Sequence, residues 1–258
     1  MHVLGKTWEL IWRHKLPLLQ LTGLVYGPFY AAYGITVLAG WLPADGADKM
    51  FGLVGALLMP VINGSIVWLA QRWYDNEPAT LKQAWDAMPS YWSRLLTTYI
   101  AISFVLLGWL IVTVLPAYIL MMVLKIDQPL YLLPVALAAA AYAMCRFVFV
   151  DPLVVNQGRS PWHARQESTA LSVGHRSRII GAGLLTYTLP FILETTGEFA
   201  ASYISADQQN LIAAVSTGTG ILAALLYILP VIYFYVYYRV VTAEGSSTDS
   251  PQLGAAAS

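Results

Sequence analysis

Charge is what this 258-residue sequence has least of, and its scarcity excludes a soluble globule. Only 11% of residues are charged and 58% are hydrophobic, against about 25% and about 45–50% in ordinary soluble domains. Fourteen basic and fourteen acidic side chains are too few to cover a soluble surface of this size, so much of that surface must face lipid. The two signs balance, with no concentrated basic face of the kind that displaces counterions from phosphates, so a nucleic-acid partner is excluded. Cysteine is nearly absent as well. Cys145 stands alone in an apolar run, which rules out an internal disulfide or a cysteine metal cluster and leaves a small buried hydrophobe. His2, His14, His163 and His175 form no HExxH or other zinc-ligand spacing. Neither a phosphate-binding glycine loop nor a GxSxG nucleophile turn occurs. The expectation is therefore a chain without metal, cofactor or catalytic set, and not an enzyme.

Long apolar runs are abundant. A helix needs roughly 20 apolar residues to cross a hydrocarbon core of about 30 Å. Six stretches qualify: Leu18 to Leu42, Met50 to Gln71, Leu95 to Leu124, Leu130 to Val150, Ile179 to Tyr203 and Leu211 to Tyr238. The expected fold class is an all-α integral membrane protein with six transmembrane helices. The first stretch is longer than a signal core of about 7–15 residues and ends in no compact small-residue cleavage site, so it reads as a retained span. Pro28, Pro60, Pro116, Pro134, Pro190 and Pro230 fall inside these stretches and read as kinks, because neighbouring helices can satisfy freed carbonyls.

Orientation follows from the basic residues. Lys6, Arg13, Lys15, Arg72, Lys82, Arg94, Arg159, Arg165, Arg176, Arg178 and Arg239 fall on one side, whereas the other holds Lys49 and Lys125 with Asp45, Asp48, Asp127 and Asp207. Both termini are thus expected in the cytoplasm, which for an inner-membrane protein of bacteria leaves Lys49, Lys125 and Asp207 periplasmic. Tyr233, Phe234, Tyr235, Tyr237 and Tyr238 mark the headgroup boundary of the last span. Residues 244–258, rich in Ser, Ala and Gly, read as a disordered tail.

A repeat of about eighty residues runs through the chain. Lys6 to Lys15, Thr80 to Arg94 and Pro161 to Arg178 are moderately polar, Trp-bearing segments ahead of odd-numbered spans, suited to amphipathic helices in the interface. Lys15, Arg94 and Arg178 each precede a span, at intervals of 79 and 84 residues. Near the end of each even-numbered span an Arg is followed five positions later by an acid: Arg72 and Glu77, Arg146 and Asp151, Arg239 and Glu244. The units, about 1–78, 79–158 and 159–243, each cross twice, so they are parallel repeats about an axis along the membrane normal.

The most specific sequence is RFVFVDPLVVNQGRSPWHARQESTALSVGHRSRIIG, residues 146–181, with Ala164, Ser168, Leu171, Gly174, Arg178 and Gly181 in register. It resembles the uncharacterised YciC-like inner-membrane family and the membrane domain fused to some glycerophosphodiester phosphodiesterases. There a fourth span ending in Arg and Pro leads into a similar Ala/Ser/Leu/Gly helix. The resemblance implies a helical membrane domain with amphipathic elements and a link to lipid. It brings no catalysis, since the phosphodiesterase reaction belongs to a separate barrel that no segment here could encode.

Few residues compete for a site. Arg146 lies near the end of the fourth stretch, with Asp151 or Asn63 as its expected partner, and an intramembrane charge marks function or a snorkelling end. Glu194 and Glu198 share one helical face four residues apart, and Ile179 to Leu193 is too short to span alone. The sequon Asn63-Gly64-Ser65 lies within a span and carries no glycosylation reading, while Gly23 to Gly27 and Gly181 to Gly183 suit close helix packing. Two functions follow. The first is a non-enzymatic, lipid-contacting module or accessory subunit, whose partners are membrane lipids and other membrane-protein subunits. The alternative is a small transporter or channel with a polar path through Glu194, Glu198 and Asn63.

Overall fold

The computed structural model describes residues 3–42, 44–123, 133–204 and 208–248, and among these the chain is helical throughout, with no strand. In order the helices are α1 (Val3–Arg13), α2 (Lys15–Leu38), α3 (Ala44–Tyr74), α4 (Leu81–Ala87), α5 (Trp92–Val123), α6 (Leu133–Phe147), α7 (Val150–Gln157), α8 (Pro161–Ser172), α9 (Arg176–Ser202), α10 (Gln209–Leu226) and α11 (Ile228–Thr248). Five stretches are long and apolar enough to cross a membrane: Lys15–Leu38, Lys49–Tyr74, Trp92–Val123, Arg176–Gly197 and Ala214–Glu244. The remaining expected span, Leu130 to Val150, falls on α6, whose 15 residues are not among these five stretches; residues 124–132 lie outside those described. Residues 244–248 continue α11, a correction to the expected tail, since the last turns simply extend an established helix; residues 249–258 lie outside the described set.

Large apolar side chains face outward along these stretches, as a lipid-facing surface requires. Phe104 and Val112 on α5, Leu184 and Phe191 on α9 and Leu24 on α2 are all more than half exposed. The core lies instead at the end of the bundle that carries Arg72, Arg94 and Arg239. Ile66, Leu69 and Trp73 of α3 meet Phe149, Leu153 and Val154 around α7, with Tyr91, Leu95, Ile232 and Tyr235 closing the cluster. His14 stacks on Trp73 at 4.1 Å, and Arg239 forks onto both Asp75 oxygens at 2.9 and 3.0 Å, tying α11 to the end of α3. At the opposite end a small cluster of Tyr33, Val37, Ala47 and Phe51 joins α2 to α3.

Prolines act in two ways. Pro28, Pro60, Pro116 and Pro190 sit inside continuous helices, whereas Pro134 opens α6. Pro230 departs from a kink: the helix breaks at Tyr227, leaving α10 and α11. A proline ring clashes with the carbonyl four residues earlier, here Leu226, the last residue of α10. The same rule places the break between α6 and α7. Pro152 disfavours a helical carbonyl at Val148, so α6 stops at Phe147 and the amide of Phe149 turns to the Ser168 hydroxyl, 3.2 Å away.

The three short segments are packed elements, and the second and third are shorter than the sequence suggests. Helix α1 lies against α11, with Thr7 and Leu10 buried. Helix α4 covers only Leu81–Ala87, opened by a Thr80–Gln83 capping box and followed by a 3-10 turn that Pro89 favours over α-helix. Helix α8 packs on α5, α6 and α7, and ends before Gly174, whose φ of +84° suits glycine. Close helix approach follows the expected glycines in part: a Cβ on Gly183 of α9 would clash with the Met144 side chain of α6. A Cβ on Gly23, Gly27 or Gly181 would meet no neighbour, whereas one on Gly64 would lie 2.4 Å from the buried Tyr91 ring.

Candidate functional site

Where α3, α5, α7, α9 and α11 converge, a cavity of about 460 Å³ opens between largely apolar walls, with Asn63, Tyr99, Asp151 and Tyr187 among its lining residues. Asp151 is carried there by the α6–α7 break, which swings the second residue of α7 toward α5. The Tyr99 hydroxyl donates to its carboxylate at 2.8 Å and accepts from the Asn63 amide nitrogen at 3.0 Å. The resulting series, Asn63 to Tyr99 to Asp151, joins three helices through side chains alone. Among the described residues no Lys, Arg or His lies within ion-pair distance of Asp151. Burial pushes the Asp151 carboxyl up to about 6 from its ordinary 3.8, against the Tyr99 hydrogen bond, which favours the ionised form.

Asn63 also borders a smaller cavity of about 60 Å³, shared with Tyr26, Tyr187 and Tyr227. The Tyr187 and Tyr227 rings lie 6.1 Å apart, and the Tyr227 hydroxyl donates to Glu194 at 3.0 Å. Polar groups therefore run from Asp151 through Tyr99 and Asn63 to the tyrosines, and on to Glu194, which is itself exposed. Glu198 belongs to α9, but its side chain lies outside the described residues.

Comparison with family models, curated proteins and solved structures finds no match. The candidate site thus stands on its geometry.

Of the residues singled out from sequence, Asn63 and Asp151 meet through Tyr99, and Glu194 joins them at one remove. Arg146 does not. Its guanidinium donates to the Tyr142 hydroxyl and lies 5.3 Å from that ring, so neither Asp151 nor Asn63 is its partner. The helix break explains this correction, since five residues no longer amount to a turn and a half of one continuous helix. The Arg-to-acid markers also diverge: Arg72 pairs with Glu77, but Arg239 pairs with Asp75. In the segment carrying the resemblance, Ala164 and Ser168 are fully buried, Leu171 packs on the core and Arg178 and Gly181 are exposed. Tyr99, Tyr187 and Tyr227 carry no signal in the sequence, because a tyrosine within an apolar stretch is common and uninformative before its partner is known. Among the described residues no group of His, Cys, Asp and Glu is arranged to hold a metal.

Proposed function

We propose that the chain is a small, non-enzymatic transporter or channel of a bacterial inner membrane, with six spans, both termini cytoplasmic, and a path for a proton or small protonated amine past Asp151. A carboxylate that faces a largely apolar cavity without a fixed counter-cation carries this reading. Such a group is costly to keep ionised, so it takes up a proton or receives a cation. The line from Asp151 to Glu194 supports passage over mere storage, since its members share two neighbouring cavities. The resemblance of residues 146–181 to a membrane-domain family is compatible with it.

The test is proton entry into proteoliposomes loaded with a pH-sensitive dye under an imposed potential, with and without a panel of small amines outside. The parent should acidify the lumen faster than protein-free vesicles, and Asp151→Asn should abolish the difference. A parent indistinguishable from empty vesicles under every condition would sink the proposal. It would leave the second reading, a lipid-contacting module or accessory subunit. That alternative draws on Trp8, Trp12, Trp85 and Trp162, 45–60% exposed on α1, α4 and α8, where indoles suit a headgroup interface.

A further inference from the structure

A second cavity, of about 430 Å³, lies between α5, α6 and α8, and two cations face it: Arg146 from the last turn of α6 and Arg165 from the first half of α8. Among the described residues neither arginine has an acid within ion-pair distance, although Arg13, Arg72, Arg159 and Arg239 all do. Each is held by rings instead. Arg146 lies against Tyr142, and the Arg165 guanidinium sits 5.9 Å from Phe147 and 5.4 Å from Trp162. The Nε of both is buried without a hydrogen-bond partner, whereas most buried polar groups in native proteins are paired. Two positive charges brought close repel unless an anion lies between them. Stacking on aromatic faces positions a guanidinium and, apart from the Arg146 bond to the Tyr142 hydroxyl, leaves in-plane N–H donors of both forks for a ligand.

We propose that Arg146 and Arg165 form a binding site for a phosphate group, with the apolar flank of Val105 and Phe147 beside it. Phosphate suits the pair because its several oxygens accept from two planar forks at once, which a single carboxylate does less completely. The backbone fixes the site: the Thr169 hydroxyl reaches the Arg146 carbonyl at 3.5 Å and the Arg165 carbonyl at 2.8 Å, coupling the end of α6 to α8. The phosphate can come from a lipid headgroup, whose chains would follow the apolar flank, or from a soluble phosphate.

The experiment uses the full chain in two arms. In the first, native mass spectrometry counts lipids retained after release from phosphatidylcholine nanodiscs doped with phosphatidylglycerol. In the second, melting in a zwitterionic detergent is followed with inorganic phosphate against chloride at matched ionic strength. Selective retention of phosphatidylglycerol assigns the site to a headgroup. Stabilisation by phosphate without lipid selectivity assigns it to a soluble ligand. In either case Arg165→Gln should weaken binding about tenfold or more, the loss expected for one charge-assisted hydrogen bond. Arg165→Lys, which keeps the charge but not the fork, should fall between, and Lys82→Gln should bind as the parent does. No preference in either arm overturns the proposal, as does a preference that survives in both Arg165 variants. The parent arms decide the first question whether or not a variant folds.

Discussion

Asp151 carries most of the consequences at the scale of single residues. Its carboxyl titrates near 6 when folded and near 3.8 when not, so the folded state binds the proton more tightly. Stability from this group is therefore fully present below about pH 3.8 and is lost as pH rises through about 6. Melting temperature measured in detergent across that window should fall with rising pH in the parent. Asp151→Asn should flatten this slope, because the amide can still accept from Tyr99 but cannot ionise; an unchanged slope would locate the titration elsewhere. Asn63 and Glu194 were legible as polar exceptions in apolar runs, and Asp151 as an acid following one. What joins them was not, because Tyr99 is the eighth residue of α5 and stands 52 residues before Asp151. The expected Arg146–Asp151 pairing failed for the converse reason. Spacing along the chain predicts proximity only while the helix is unbroken.

At the scale of elements, two contacts set where helices sit. The amide of Phe149, released by the α6–α7 break, rests on the buried Ser168 hydroxyl. Ser168→Ala would leave that N–H buried and unpaired, at a cost of about 1–3 kcal/mol, seen as a lower melting temperature, while Ala164→Gly at the same face would leave the bond intact. Gly64 is the second. Here α3 approaches α5 so closely that a methyl would press on Tyr91 and Leu95, both at most 1% exposed, while Tyr91 also bonds Ser65 at 3.1 Å. Gly64→Ala should destabilise by about 1–3 kcal/mol through overpacking, whereas Gly23→Ala, facing open space, should be neutral or mildly stabilising. Helix existence was legible from apolar runs, but the two breaks were not, since Pro28, Pro60, Pro116 and Pro190 leave their helices continuous while Pro152 and Pro230 follow a break. Which glycines meet a neighbour was legible only in part: Gly183 does, whereas Gly23 and Gly27 do not, since a GxxxG spacing fixes a face of one helix and says nothing of what lies across it.

For the whole molecule, the apolar runs match the five membrane-length stretches to within a few residues at most ends, because bilayer-length hydrophobicity is a property of the chain itself. The core at the basic end was less legible. It depends on α1, α7 and α11 folding over α3, through contacts such as Arg239 with Asp75 that link residues 164 positions apart. The proposed orientation places position 82 in the cytoplasm and position 49 outside. In intact cells an impermeant thiol reagent should modify Lys49→Cys and spare Lys82→Cys, and the reverse pattern would invert the topology. The path past Asn63 is tested most directly by water itself. With Cys145 replaced by serine, Asn63→Cys in proteoliposomes should react with a water-soluble thiol reagent far faster than Phe104→Cys, which projects from the outer face of α5 and is 69% exposed there. Equal, negligible rates at both positions would mean that the interior is dry, and would contradict a transport path through Asp151, Tyr99 and Asn63.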